Sequence, residues 1–201
     1  ALAGFQAAEF MVCGGFGVSG AEWARFGYVS ITLLPPLGLH LAHKISGKKT
    51  GNLVKTSYLT CAIFSFCYIF MTDAVAHGAC RANYSVFNTP NGLSELFGLY
   101  YYGWLLTGIG FSFKQVNDLK KKNPETNARK ISALTWLAGG YLSFVLPTTF
   151  VNIIDPSTIE GIPSIMCGFA VLLAIILLGF VAPKALEKKS ENSSARFSTA
   201  E

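Results

Sequence analysis

Charged residues are scarce in this chain of 201 residues: only 13% are Asp, Glu, Lys or Arg, whereas 51% are hydrophobic. An ordinary soluble domain carries about 25% charged residues. Half that fraction leaves too little polar surface to cover a globule in water, so the composition predicts an integral membrane protein. The length fits one helical membrane domain and leaves no room for a separate soluble catalytic domain.

The sequence also lacks the motifs of common catalytic and binding sites. It has no CxxC pair, no Ser/His/Asp grouping, no phosphate-binding glycine loop and no carboxylate pair facing a credible cleft. Its net charge of +5 is not accompanied by a basic and aromatic nucleic-acid module. We therefore expect neither an enzyme nor a nucleic-acid-binding protein. No internal repeat stands out, which argues against an inverted-repeat transporter.

Six apolar stretches are long enough to cross a bilayer, since about 20 helical residues cross roughly 30 Å of hydrocarbon. The predicted spans are residues 1–19, 22–43, 53–75, 93–115, 131–154 and 162–183. The sequence therefore predicts an all-α integral membrane protein with a bundle of about six transmembrane helices. Residues 1–189 form this domain, and residues 190–201 form a disordered polar tail.

Basic residues give the predicted bundle an orientation. They concentrate in three segments, which hold Lys44, Lys48, Lys49 and Lys55; Lys114, Lys120, Lys121, Lys122, Arg129 and Lys130; and Lys184, Lys188 and Lys189. The alternate loops hold only Arg25 and Arg81. Because loops rich in Lys and Arg stay cytoplasmic, both ends should face the cytoplasm of a multi-pass protein in the cell inner (plasma) membrane. The aromatic run at residues 100–104 (YYYGW) then lies in the outer half of the fourth span, as interfacial rings commonly do.

Ionisable and helix-breaking residues within the predicted spans are the candidates for a ligand pocket. A charge inside a membrane is costly, so Glu9 must pair, be protonated or face a wet cavity. Pro35 and Pro36 remove two backbone donors and should kink or open the second span, freeing carbonyls that can shape a pocket. With His40 and Trp104 they frame the predicted pocket. The alternative is structural: neighbouring helices satisfy Glu9, and the prolines only bend a helix.

Two histidines are the candidates for binding a metal or haem. His40 and His43 lie three residues apart and share a helix face, so they could ligate a metal or bind haem with a partner ligand. The remaining histidine, His77, is expected at the opposite face of the membrane. With no third ligand evident, we expect no cofactor.

The cysteine pattern favours unpaired thiols. Cys13, Cys61, Cys67 and Cys167 fall within predicted spans, where a free cysteine behaves as a small apolar residue. Only Cys80 lies in a loop. Since Cys13 and Cys167 should lie towards the same membrane face as Cys80, a disulfide from Cys80 to either of them is the alternative, with the partner left open.

Several segments carry a resemblance to a known family. They are residues 23–28 (WARFGY), residues 33–37 (LLPPL), His40, Gly47, residues 100–110, the basic loop with Pro124, Arg129 and Lys130, then Pro147 and residues 162–164 (IPS). This pattern resembles the bacterial seven-helix membrane sensor region found at the N-terminus of many histidine kinases and diguanylate cyclases. The resemblance covers most of the chain. In that family a further helix precedes the first span and an effector module follows the last one, so the chain resembles the sensor region without that helix and without the effector module.

The resemblance implies a non-catalytic, membrane-embedded sensor or input domain. Such a domain would bind a small or lipid-like ligand, or a partner helix, and would act through a partner protein. Two alternatives remain open: an accessory or structural subunit of a larger membrane protein complex, and a transporter or channel subunit. The expected partners in each case are the lipid bilayer and other membrane proteins.

Overall fold

The computed structural model describes residues 1–14, 17, 19–71, 74–80, 85–90 and 92–185. The predicted tail at residues 190–201 lies outside them, as do Arg81, Lys188 and Lys189. The described elements are α1 (Leu2–Gly14), α2 (Gly20–Thr32), α3 (Leu34–Ser46), α4 (Asn52–Phe70), β1 (Ala76–Cys80), β2 (Ser85–Asn88), α5 (Leu93–Lys122), α6 (Pro124–Ile154) and α7 (Ile162–Ile176). A 3₁₀ turn, Pro156–Gly161, precedes α7, and a π-helical turn, Leu177–Val181, continues it.

Within the described residues, three helices are long and apolar enough to cross a membrane. They are α4 with 19 residues, α6 with 31, and α7 with its continuation, Ile162–Ala185, with 24. The prediction of a largely helical fold is confirmed, and the length and composition of these three helices are compatible with a membrane protein. The helices α1, α2 and α3 have 13 residues each. Six separate spans and cytoplasmic ends therefore stay predictions.

The second predicted span is two helices rather than one. It divides at Leu33, and Pro35 and Pro36 lie in the first turn of α3. Proline lacks the N–H that would continue the preceding helix and disfavours helical backbone in the residue before it, so α2 ends there. Gly47, with a φ of 76°, ends α3 in the left-handed conformation that glycine adopts without steric cost. The opening predicted at the two prolines is present.

A two-stranded antiparallel hairpin lies between α4 and α5, where an all-α fold was predicted. Its strands pair His77 with Phe87 and Cys80 with Ser85, with an irregularity between the two pairs. The strand sequences AHGAC and SVFN lack a long apolar alternation, so they give little local signal for a strand. The buried Phe87 ring packs instead against Phe5 of α1 and Tyr28 of α2, at centroid distances of 6.0 and 5.7 Å. Tertiary docking therefore holds the hairpin.

The centre of the bundle contains a group of packed rings, which we call the aromatic cluster: Tyr28, Phe64, Tyr68, Phe97 and Tyr100. Tyr28 lies 5.0 Å from Tyr68 and 5.5 Å from Phe97, and Phe64 lies 4.7 Å from Tyr100, between ring centroids. Each such pair contributes about 0.5–1.5 kcal/mol beyond its buried area. The aromatic cluster thereby joins α2, α4 and α5.

Large apolar side chains also cover the outer surface of the helices. On α4 alone, Leu59, Ile63, Phe66 and Phe70 are each more than half exposed. Contiguous apolar surface of this kind is rare on soluble monomers. It is the surface expected of a helix that faces lipid.

Candidate functional site

A cavity of about 540 Å³ lies where the hairpin meets the first turns of α5 and α7. Five of its thirteen lining residues are aromatic: Tyr28, Phe87, Phe97, Tyr101 and Tyr102. All of these rings except that of Tyr102 are buried. The volume falls within the roughly 300–1,000 Å³ of small-molecule sites, which are usually apolar with a few placed polar groups.

The wall is assembled from four elements. Helix α2 supplies Tyr28 and Ile31, and strand β2 supplies Phe87. The first three turns of α5 supply residues from Ser94 to Tyr102, and the start of α7 supplies Ile162, Pro163 and Met166. Because these elements are far apart in the sequence, the cavity exists only in the folded chain.

The polar side of the cavity is its mouth. Ser94 and Glu95 are exposed and line the cavity. The Glu95 Oε2 atom accepts a hydrogen bond of 2.6 Å from the Gly92 N–H, which caps the start of α5. This bond holds the carboxylate at the helix N-terminus, where the helix dipole favours negative charge. Glu95 is the one formally charged side chain among the described residues that line the cavity.

Charge differs between the two ends of the bundle. Asp155 lies at the cavity end, between α6 and α7, and its Oδ1 accepts hydrogen bonds of 2.6 and 3.0 Å from the Ser157 hydroxyl and N–H. These bonds lower the pKa of the Asp155 carboxyl, so it stays ionised at neutral pH. At the far end, α5 finishes on three lysines, and the Lys130 ammonium lies beside Gly47. The cavity therefore lies at the end opposite the lysine-rich end of α5.

The break between α2 and α3 is tied to α5 next to the cavity. In a continuous helix the Thr32 carbonyl would accept a hydrogen bond from the N–H of residue 36, which is a proline. It accepts one of 2.8 Å from the Tyr100 hydroxyl instead, and a longer contact of 3.5 Å from the Cys61 thiol. Thr32 follows the cavity residue Ile31 in the sequence, and Tyr100 precedes the cavity residue Tyr101.

Replacing Tyr100 by phenylalanine should destabilise the protein by about 1–3 kcal/mol, because it leaves a buried carbonyl with only a weak thiol donor. Thermal unfolding of the purified variants in one detergent measures this difference. Tyr102→Phe is the matched control, since the Tyr102 hydroxyl has no hydrogen bond among the described residues. Equal melting temperatures for Tyr100→Phe and Tyr102→Phe would contradict a supporting role for the Tyr100 hydroxyl.

Four of the predicted pocket residues, Pro35, Pro36, His40 and Trp104, lie outside the cavity lining. Pro35 and Pro36 are buried in the first turn of α3. The His40 Nδ1 atom lies 3.2 Å from the Tyr58 hydroxyl, and the Trp104 Nε1–H donates to the Thr60 hydroxyl at 3.0 Å. Tyr58 and Thr60 are both on α4, so His40 and Trp104 attach α3 and α5 to that helix.

Glu9 lies apart from these residues, on α1. Its Oε2 atom accepts a hydrogen bond of 3.0 Å from the Gln6 amide, and the Ser164 side chain on α7 lies near the carboxyl group. Its Oε1 atom is buried without a partner among the described residues. None of the five predicted pocket residues lines the cavity.

The two histidines considered as ligands have different surroundings. The buried His43 ring stacks on Phe111 at a centroid distance of 3.9 Å, and its Nδ1 atom lies 3.0 Å from the Leu39 carbonyl oxygen. His40 faces Tyr58 instead. In the part of the chain that the structure describes, no three His, Cys, Asp or Glu residues are grouped as metal ligands would be.

A disulfide joins Cys13, near the end of α1, to Cys80, the last residue of β1. The unpaired state favoured from the sequence is therefore wrong for these two residues, while Cys61, Cys67 and Cys167 are free. The hairpin decides the pairing, because it carries Cys80 to α1. Beside the bond, the Ser85 N–H donates to the Ser164 hydroxyl at 3.0 Å. The hairpin is thus attached to both α1 and α7.

The sequence did contain one signal for the cavity. The aromatic run at residues 100–104 was interpreted as an interfacial belt, but Tyr101 and Tyr102 line the cavity and Tyr100 lies directly behind it. Isolated aromatic residues on α2 and β2 complete the wall, and nothing in their local sequence indicates that they meet.

Comparison with known proteins identifies no relative: no protein-family model matches the chain, and neither the curated proteins nor the solved structures include a match.

Proposed function

We propose that this chain is a membrane-embedded sensor or input domain that binds a small ligand and acts through a partner protein. The observation that carries the proposal is the cavity of about 540 Å³ framed by α2, β2, α5 and α7. It has a largely buried aromatic wall and a polar mouth, as sites for small molecules usually do. The domain has no catalytic role in this proposal.

The proposal includes a multi-pass position in the inner (plasma) membrane, with the cavity on the outer side. The three long apolar helices support a membrane position. Clustering of basic residues at the end opposite the cavity supports the orientation. The disulfide next to the cavity also supports it, since disulfides persist in oxidising compartments and are rare in the cytosol.

Two features of the fold can transmit a helix movement from the cavity to the lysine-rich end of the bundle. Helix α5 is continuous over 30 residues, about 45 Å at 1.5 Å per residue, and it starts in the cavity wall. The break at Leu33 lies two residues from the cavity residue Ile31 and is held by the Tyr100 hydroxyl. Element termini of this kind absorb backbone changes when packed helices move. A ligand that presses on Tyr101 or Ile31 would act on both features.

Filling the cavity should abolish ligand binding. A Cβ atom added at Gly98, which lines the cavity, would meet nothing within 4 Å, so Gly98→Leu introduces a side chain into open space. Gly103→Leu is the matched control, since Gly103 is also open and lies on the same helix but outside the cavity lining. Native mass spectrometry after gentle detergent extraction should detect a bound small mass on the wild type and on Gly103→Leu. It should find none on Gly98→Leu.

A bound mass that persists in Gly98→Leu would contradict binding in this cavity. Co-purification of the wild type in fixed stoichiometry with a large membrane complex, without any bound small molecule, would support the accessory-subunit alternative instead.

A further inference from the structure

The wall of the cavity combines several π systems with a single negative charge. Five of the lining residues are aromatic, one is a carboxylate, and none of the described ones is Lys, Arg or His. Aromatic faces attract cations through their quadrupole, and a carboxylate attracts them directly. An anionic ligand would meet a like charge at the mouth and no opposite charge inside.

The rings are inclined to one another rather than stacked in parallel. The Tyr28 and Phe87 planes meet at 88°, and those of Tyr101 and Tyr102 meet at 80°, with centroids 5.7 and 6.4 Å apart. The Phe97 ring, between Tyr28 and Tyr101, is tilted against both. The rings therefore pack edge to face or tilted against one another, and together they give the cavity a continuous aromatic lining.

Helix α5 presents the charge and one of the rings on a common face. Glu95, Gly98 and Tyr102 lie at positions i, i+3 and i+7, which share one side of an α-helix. Gly98 has no side chain, and a Cβ atom there would contact nothing within 4 Å. The position over Gly98, between Glu95 and Tyr102 on this helix face, is therefore open.

We infer that the cavity takes an organic cation with an apolar body, of the quaternary ammonium class. The ammonium group lies over Gly98, between Glu95 and Tyr102, and the apolar body packs against Ile31 and Met166 in the buried part of the wall. This inference rests on the proposed function and adds to it the chemical class of the ligand.

The test compares a cation with its neutral isostere. Benzyltrimethylammonium and neopentylbenzene have nearly the same shape, and they differ in the charge at one quaternary atom. The purified full chain is titrated with each by calorimetry in a maltoside detergent, because choline or ethanolamine lipids would themselves supply competing ammonium groups. Gly98→Leu, measured in parallel, corrects for partition into micelles. We expect the cation to bind about tenfold more tightly than the neutral compound.

A substitution at the mouth then separates the charge from the shape of the cavity. Glu95→Gln removes the charge and keeps an oxygen that can accept the hydrogen bond from the Gly92 N–H, so the start of α5 is preserved. It should weaken binding of benzyltrimethylammonium about three- to tenfold and leave binding of neopentylbenzene unchanged. Tyr102→Leu should likewise weaken binding of the cation more than binding of the neutral compound.

The outcomes distinguish this inference from the proposed function. Equal affinity of the wild type for the two compounds overturns the inference and leaves the proposed cavity site standing. An unchanged affinity of Glu95→Gln for the cation overturns the role of the carboxylate. If neither compound binds above the Gly98→Leu level, the inference is wrong, and the native mass spectrum alone decides whether the cavity holds a ligand of another class.

Discussion

Replacing Cys80 by serine is expected to lower the free energy of unfolding by about 4 kcal/mol. The Cys13–Cys80 bond joins residues 67 positions apart, and closing a loop of that length removes roughly this much chain entropy, as free energy, from the unfolded state. The bond also attaches the hairpin to α1, so its loss should loosen Phe87 in the cavity wall. Thermal unfolding of the purified protein in one detergent, without reductant, measures the effect.

Matched variants distinguish the bond from the loss of a thiol. Cys13→Ser and the double variant should melt at the same temperature as Cys80→Ser, because each removes the same cross-link. Cys67→Ser alters a free, partly exposed cysteine on α4 and should change the melting temperature little. Alkylation of the denatured wild type should label three cysteines without reductant and all five after reduction, because Cys61 and Cys167 are buried in the folded protein. Five labelled thiols without reductant would refute the cross-link.

The parts of the fold that depend on local chemistry were predictable from the sequence. The predicted span at residues 53–75 corresponds to α4, Asn52–Phe70, because a long apolar run with few charges is itself the signal for a membrane helix. The break before Pro35 follows in the same way, since a missing backbone N–H acts on the preceding turn whatever surrounds it.

The cavity was not predictable, because its wall depends on contacts between distant segments. Phe87 stands in a short polar strand, and only its docking on Phe5 and Tyr28 makes it part of a wall. The search for a site from the sequence selected residues that are costly in lipid, such as Glu9 and His40. Each of the two has one polar atom with a partner, since Gln6 donates to Glu9 Oε2 and Tyr58 lies against His40 Nδ1. Each also has one buried atom without a partner among the described residues, Glu9 Oε1 and His40 Nε2. Ordinary aromatic residues, which the search did not select, form much of the cavity wall.

The disulfide was predictable from the sequence only in part. Local sequence identified Cys80 as the cysteine in a loop, but two partners remained open. The hairpin brings the Cα of Cys80 to 6.0 Å from that of Cys13, and the two residues form the disulfide. Cys167 stays buried and free in α7. The hairpin, whose strands are not indicated by the local sequence, thus determines which cysteine pairs with Cys80.

Close packing between α3 and α6 makes Gly38 the glycine at which substitution should be most disruptive. A Cβ atom added there would overlap the hydroxyl oxygen and Cζ of Tyr141. Tyr141 cannot easily turn away, because it is buried in α6 and packs on Phe144 at a centroid distance of 5.9 Å. Overpacking of this kind costs about 1–3 kcal/mol and occasionally more. We expect Gly38→Ala to reach the upper end of that range, despite a gain of about 1 kcal/mol in helix propensity.

A rescue variant makes the steric origin testable. Gly139→Ala on α6 adds the same methyl group where nothing lies within 4 Å, and it should leave the protein as stable or raise its stability by up to about 1 kcal/mol. Tyr141→Phe removes the oxygen, the nearest of the Tyr141 atoms that the new methyl group of Gly38→Ala would overlap, and keeps Cζ, so it relieves part of the clash. The double variant Gly38→Ala/Tyr141→Phe should therefore melt above Gly38→Ala alone, by more than Tyr141→Phe changes the wild type. If the two effects simply add, the helices α3 and α6 do not meet at this oxygen.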